Sequence, residues 1–444
     1  MHTQLPYAAP LIRQLKHTSG TYSLKRRDLF AASLAAGMMG VARRGWSAAP
    51  DGTAPQAAAA LGRTALHGTI PRLVPIRAHA DQIMDIKVCL RPFRPAGPRM
   101  DVEHVAGKTV VHNYGHGGSG WSLSWGAAYL AVGHAAATLE RRVAVIGCGI
   151  IGLTSALTAL RAGLDVTIYT RDLLPHTPSM RASGSWTPDS RIALSAQASP
   201  NFARTWEQMA RYSLQTYRDD LGLPGNPIDF RDNYTLSDTP LDAADHAPAP
   251  TDPGKGTFAT TGAPQSSAEF ASYAGLIADV TPAPELLAGA DNPFPVAYAR
   301  RTPLMIYNFG AYAHLLLSEF HQAGGRIVIR EFHSPADLAD LPERVVINCP
   351  GYAAREWWND KSLIPIRGQT SWLPPQPDAP YALDYKGVAM ISKSDGVMIS
   401  GYDQNGLGLM DGVGNISERP DRAEAQKAIA VVEDLFARFQ PRNG

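Results

Sequence analysis

The run Val143-Ala144-Val145-Ile146-Gly147-Cys148-Gly149-Ile150-Ile151-Gly152 carries the clearest chemistry in this chain. Four apolar residues read as a buried strand and lead into G-x-G-x-x-G. Gly147 suits a tight turn, Gly149 lets backbone approach a pyrophosphate, and Gly152 lets helix and strand pack closely. The helix that starts at Ile150 and Ile151 offers free N–H groups and partial positive charge to phosphates. The motif alone is weak, but a helix pattern over 153–162, a Gly163 cap and an apolar strand over 165–169 follow at the right distances. The chemistry predicted is dinucleotide binding. An acid ordinarily ends the second strand and holds the ribose hydroxyls. Here the order is Tyr169-Thr170-Arg171-Asp172, so Arg171 stands in that place and Asp172 follows one residue late. Either Arg171 stacks on the adenine or meets a phosphate, or Asp172 reaches the ribose.

These residues need a scaffold, and the hydrophobic periodicity supplies one. Strand patterns cover 84–89, 90–95 and 109–112, and a helix pattern covers 124–139. An amphipathic helix over 199–221 has Phe202, Trp206, Met209 and Tyr212 three or four apart. A helix over 312–323, strands over 326–332 and 344–348, a β-rich stretch over 371–400 and a final helix over 422–439 complete the pattern. Residues 238–266, rich in Asp, Pro, Ala and Thr, read as a surface insertion. Strands alternating with helices predict an α/β fold, a Rossmann-like dinucleotide domain with an inserted, mainly β domain.

Further runs add to the site. They are His112-Asn113-Tyr114-Gly115-His116-Gly117-Gly118-Ser119-Gly120-Trp121, Leu90-Arg91-Pro92-Phe93-Arg94-Pro95, Ala182-Ser183-Gly184-Ser185-Trp186, Val346-Ile347-Asn348-Cys349-Pro350-Gly351 and Arg367-Gly368-Gln369. Together they resemble the D-amino-acid oxidase family of FAD-dependent oxidoreductases over roughly residues 70–440. The resemblance implies FAD as cofactor, with the flavin performing the chemistry and no side chain catalytic in itself. It implies cofactor contacts from Gly117, Ser119, Gly120, Trp121 and Ser122 in the glycine-rich turn and the start of its helix. Ser183, Gly184 and Trp186 would pack on the isoalloxazine, and Cys349 and Gly351 would cross the cofactor again. On the same basis Arg91 grips a substrate carboxylate, for which a planar guanidinium fork is suited. Gly118 places its carbonyl near the amine, and Tyr385 covers the first of two substrate tyrosines. The second tyrosine position falls on Val388 or Ala389, which leaves the substrate open. The side chains of His112, Tyr114 and His116 read as packing around the turn.

The order of these runs is unusual. In the family the carboxylate-binding strand and the glycine-rich turn lie after the final helix, whereas here they precede the dinucleotide motif. The pattern resembles a circular permutation, physically reasonable where the joined ends lie close together at a surface. The division expected is therefore a permuted segment over 70–140, the FAD-binding βαβ unit over 141–200, substrate domain over 201–310, FAD-binding domain again over 311–370, and substrate domain again over 371–444.

Charge accounts for the beginning of the chain. The net charge is +1, but residues 1–49 hold seven Lys/Arg against Asp28 alone, leaving 34 basic and 39 acidic residues beyond. A body so weakly acidic gives no charge-based case for nucleic acid. Ser23-Leu24-Lys25-Arg26-Arg27-Asp28-Leu29-Phe30 reads as a twin-arginine signal, followed by a run to Ala42 too short for a stable membrane span. Ser47-Ala48-Ala49 offers a cleavage site, and residues 50–69 read as a linker. Folded export by the twin-arginine machinery to the periplasm or medium is the expectation. Cys89, Cys148 and Cys349 have neither metal-ligand nor disulfide spacing. The expected function is oxidative deamination of a D-amino acid, a carboxylate-bearing amine, with dioxygen as acceptor. A flavoenzyme for another amine or a hydroxy acid, and a non-catalytic FAD-binding protein, stay as alternatives.

Overall fold

The structure is a computed structural model that describes residues 73–241, 264–403 and 406–439. The twin-arginine run, the 50–69 linker and most of the 238–266 insertion lie outside these residues. In chain order the elements begin with β1 (Asp85–Phe93), β2 (Val102–Val105), β3 (Lys108–His112), α1 (Gly120–Ala136), β4 (Arg142–Ile146), α2 (Ile150–Arg161) and β5 (Asp165–Thr170). Next come α3 (Phe202–Asp219), β6 (Ile228–Ser237), β7 (Glu285–Leu287), β8 (Tyr298–Tyr307), α4 (Phe309–Gln322), β9 (Arg326–Ile329), β10 (Val345–Asn348) and α5 (Ala354–Trp357). The remainder is β11 (Ile364–Leu373), β12 (Tyr381–Tyr385), β13 (Val388–Lys393), β14 (Gly396–Gly401) and α6 (Arg422–Ala437).

Two sheets organise these elements. A six-stranded sheet has the order β2-β3-β10-β4-β5-β9, parallel throughout except for β2. Its central strands are apolar without alternation, as a sheet covered on both faces requires: Val143, Ala144, Val145, Val345, Val346 and Ile347 are all buried. Helix α2 packs between α1 and α4. An eight-stranded, largely antiparallel sheet has the order β1-β11-β14-β13-β12-β6-β8-β7.

The structure redraws several expected boundaries. The two short strands expected over 84–95 are one strand, β1. Pro92 is tolerated because β1 is an edge strand of the large sheet, where a missing N–H breaks no ladder on the open side. The 70–140 segment divides between the sheets: β1 joins the large one, while β2, β3 and α1 build the parallel one. Strand β11 begins at Ile364, so a boundary at 370 falls inside it. Helix α3, expected in the substrate domain, packs on α1. A Cβ on Gly126 would stand 2.2 Å from the Met209 carbonyl oxygen, an approach that only glycine permits. Helix α1 starts at Gly120, not 124, because the glycine-rich turn feeds straight into it.

The last helix closes onto the first described residues. Asp421 caps α6 by accepting from the Ala423 and Glu424 N–H groups. Leu73, Val74, Phe436 and Phe439 all pack on one cluster that contains Ile76, Ile429 and Val432. Among the described residues no helix is long and apolar enough to cross a membrane.

Candidate active site

The carboxyl ends of β3, β10 and β4 open onto a cavity of about 630 Å³, the size of a site for a large organic ligand and the position where parallel sheets bind them. Backbone bonds beyond the strands fix its floor: Gly147 N–H donates to Tyr169 O, Cys349 N–H to Ile146 O, and Asn113 N–H to Asn348 O. The three motif glycines differ in what surrounds them. Gly147 has φ +95°, and a Cβ there would lie 2.5 Å from Cys349 O; one on Gly152 would lie 2.0 Å from Gly147 O. A Cβ on Gly149 meets only Ser179 Oγ, at 3.0 Å, and otherwise faces open space. Gly149 therefore keeps the cavity clear, Gly147 lets the turn approach the end of β10, and Gly152 lets the helix pack on the turn. The first helical N–H, of Ile150, donates to Ser179 Oγ at 3.0 Å.

Buried polar atoms without partners mark the walls. Asn113 Oδ1, His116 Nε2 and Thr177 Oγ1 have no hydrogen bond among the described residues, and all three residues line the cavity. Such groups call for a ligand's polar atoms. A glycine cradle at a helix N-terminus, orphaned polar atoms along the wall and adequate volume together fit a dinucleotide cofactor.

Most of the expected residues meet here. Gly147, Gly149, Ile150, Ile151, Gly152, Arg171, Asp172, Gly117, Gly118, Gly120, Trp121, Cys349, Gly351 and Arg91 all line this cavity. Trp121 is held by an Nε1 bond to Ser179 O and by packing on Phe309 and Tyr307. At the adenosine end Arg171 Nε donates to Asp172 Oδ2 at 2.8 Å, and Arg171 Nη1 lies 3.4 Å from Glu331 Oε1. Arg171 is thus tied up by two acids. Glu331, just past β9, lines the same mouth; the sequence reading did not single it out, although an acid after the next parallel strand was the available signal.

Others are placed elsewhere. Ser119 Oγ donates to Ser190 O, and Ser122 Oγ accepts from Thr187 N–H, so both hydroxyls brace the turn. The wall takes in Ala182 but not Ser183, Gly184 or Trp186. Ser183 bonds Ser185, Gly184 turns onto Phe309 and the buried Lys393 ammonium, and the Trp186 backbone N–H donates to Met305 O. Tyr385 is 1% exposed and donates to Asp238 Oδ2 at 2.8 Å, away from the cavity. Strand alternation is the cause: Tyr381, Leu383 and Tyr385 share the face of β12 that packs under α6.

The polar side chains of the glycine-rich run are structural in their contacts. His112 bonds Glu103 and Asn348, and Tyr114 OH donates to Asp360. Burial pushes His116 down to about 4, so its imidazole is neutral. Burial likewise pushes the thiols of Cys148 and Cys349 up, to about 11 and about 12, keeping both protonated and unreactive.

The two arginines of β1 and its end part company. Arg94 Nε donates to Asp360 Oδ2 at 3.1 Å and is spoken for. Arg91 has no ion pair among the described residues. Its guanidinium lies flat on β11, since a Cβ on Gly368 would stand 2.4 Å from Nη2. Arg91 lines both the main cavity and an adjoining one of about 420 Å³, which also takes in Arg191, Arg367, Gln369, Tyr402 and Asp411. Nothing in the sequence pattern singled out Arg191.

A family model described as FAD dependent oxidoreductase matches residues 142–443. A D-amino-acid oxidase of Streptomyces coelicolor is 30% identical over 230 residues, 52% of this chain and 58% of that protein. One from Rubrobacter xylanophilus is 43% identical over 228 residues, 51% and 58% respectively. The chain spans a little over half the length of these relatives. A glycine oxidase structure from Geobacillus kaustophilus is similar with a TM-score of 0.45 and 14% identity, over 67% of this chain and 80% of that one.

Proposed function

The chain belongs to the FAD-dependent oxidoreductase family, and on that footing we propose that it deaminates a D-amino acid oxidatively, with dioxygen as the final electron acceptor. One observation carries the reading: the Arg91 guanidinium, without a carboxylate partner among the described residues, stands where the main cavity meets the adjoining one. The names of the two oxidases above support the D-configuration.

Bound FAD would supply the hydride acceptor. Gly147, Gly149, Ile150 and Ile151 would hold its pyrophosphate, and the turns at Gly117–Trp121 and Cys349–Gly351 its ring system. Arg91 would clamp the substrate carboxylate bidentately and so orient Cα and its hydrogen. The Gly118 carbonyl would accept from the amine. Hydride loss from a neutral amine needs no general base, and the reading assigns no proton transfer to the buried, neutral His116. Withdrawal of Tyr385 from the cavity favours a second reading of the same chemistry, with another amine or a hydroxy acid as substrate.

Two expectations accompany this reading. A circularly permuted order is supported by the packing of Leu73 and Phe439 on one cluster, which brings the two ends of the described chain together. Export in the folded state is supported by Arg26-Arg27 and by the need to acquire FAD before crossing a membrane.

The test is anaerobic mixing of the yellow holoprotein with a panel of D-amino acids, followed by air. Bleaching and then peroxide release are expected with at least one of them. A flavin that no amine or hydroxy acid reduces would favour a binding protein instead.

A further inference from the structure

We propose that the adjoining cavity reads a second carboxylate, so that the substrate is a dicarboxylic amino acid and Arg191 selects it; this rests on the amino-acid oxidation reading above. Arg191 comes from a segment locked to the glycine-rich turn. Ser190 O accepts from Gly118 N–H at 3.0 Å and from Ser119 Oγ at 3.0 Å. The Arg191 carbonyl oxygen sits 1.9 Å from where a Cβ on Gly117 would be. The residue adopts φ +51°, a conformation that strains an L side chain and persists only where surroundings impose it. The fold therefore fixes this arginine relative to the turn that would hold the flavin.

Among the described residues no carboxylate forms an ion pair with it. Arg191 is 6% exposed, and its one hydrogen bond among the described residues runs from Nε to Leu409 O at 2.8 Å. Burial and the neighbouring Arg91 push its pKa down to about 9, which still leaves it charged at neutral pH. Arg367, a half-buried cation of the same cavity, is already paired, because it meets Glu424 Oε2 at 2.7 Å and Gln369 Oε1 at 2.8 Å. Asp411 is the acid near both free guanidiniums, yet it forms an ion pair with neither, and burial pushes its carboxyl up.

Two cations that line one cavity, Arg191 buried and Arg91 half-buried, repel each other. A monocarboxylate on Arg91 answers one of them. A neutral side chain beside Arg191 leaves a buried charge without a partner, a costly state. A side-chain carboxylate answers the second charge with a charge-assisted bond, and the fork of Arg191 still has its Nη donors to give.

The experiment uses FAD-loaded protein and two readouts. Anaerobic flavin reduction compares D-glutamate with D-glutamine and D-aspartate with D-asparagine, and the better pair decides. Independently of turnover, succinate and butyrate are titrated by the perturbation of the flavin spectrum. The acid should be preferred to its amide by about tenfold or more in kcat/KM, and succinate should bind about tenfold or more tighter than butyrate. Arg191→Gln should cut both ratios by about tenfold, and Arg191→Lys should restore part of each. Equal binding of succinate and butyrate together with reduction by neutral D-amino acids would overturn the proposal and leave the oxidation reading standing. Succinate preference that depends on Arg191, with no amino acid reducing the flavin, would keep the second-carboxylate site at Arg191 and overturn that reading. A preference that survives Arg191→Gln would overturn the assignment of Arg191.

Discussion

Replacing Gly149 and Gly152 separately should give two different failures, and the surroundings of each predict which. At Gly149 a Cβ meets only Ser179 Oγ at 3.0 Å, so that hydroxyl must give by a few tenths of an ångström. The residue has φ −72°, ordinary for any side chain. Gly149→Val should then cost the apoprotein no more than about 1 kcal/mol as a poorer helix N-cap, a few degrees in Tm at most. Its methyl groups, however, occupy the space before the helix N-terminus. Losing one or two N–H bonds to a charged pyrophosphate, about 1.5–3 kcal/mol each, should weaken FAD binding by at least about tenfold and up to roughly ten-thousandfold. At Gly152 the new Cβ would lie 2.0 Å from Gly147 O, and both atoms are held by the strand–turn–helix backbone. Gly152→Ala must push helix from strand, an overpacking cost of about 1–3 kcal/mol or more, felt with or without flavin. The assay is FAD titration of each apoprotein by flavin fluorescence, with thermal melts of the same samples. Wild-type FAD affinity in Gly149→Val would refute the pyrophosphate assignment. An apoprotein melt lowered as far as that of Gly152→Ala would refute the spatial argument.

Arg91→Ala should weaken carboxylate ligands by at least about tenfold with flavin content intact, whereas Arg94→Ala, which loses the Asp360 pair, should show mainly as a lower Tm; equal ligand affinity in wild type and Arg91→Ala means that the anchor lies elsewhere. A chain rearranged so that residues 73–140 follow residue 439 through a short Gly/Ser linker should fold and bind FAD, because Leu73 and Phe439 already share a cluster; insoluble, colourless protein counts against a permuted order. Burial and the nearby Glu319 raise the Asp220 carboxyl to about 6. The folded state therefore binds more protons than the unfolded between about pH 4 and 6, and stability falls as pH rises through that window. Asp220→Asn, which keeps an acceptor for Tyr312 OH, should melt above wild type at pH 8 and lose that advantage toward pH 4; a difference independent of pH contradicts the assignment. Changing Arg26 and Arg27 to lysine should leave precursor in the cytoplasm, and unchanged recovery outside it argues against twin-arginine export.

The dinucleotide turn was legible in the sequence because its requirements are local. Strand, turn, helix and second strand are joined by short covalent connections, so the spacing of Gly147, Gly149 and Gly152 already determines the cradle that the structure displays. The β1 arginines were legible as candidates, but only packing told them apart: Asp360 arrives from a distant loop to engage Arg94, and leaves Arg91 facing the cavities. Tyr385 shows the limit from the other side. Its strand could be read from the pattern, yet which face of that strand α6 would cover could not, and α6 took the tyrosine. Ser179 and Arg191 carry no signature in their own neighbourhoods, and Glu331 has only its place after a strand end. They reach the cavities on a short turn, past the next strand end and on a loop crossing the glycine-rich turn. Local spacing is set by bond geometry that every conformer of the chain shares. Which side chain faces a cavity, and which charge is left without a partner there, is set by contacts between segments far apart in sequence that exist only once the chain has folded.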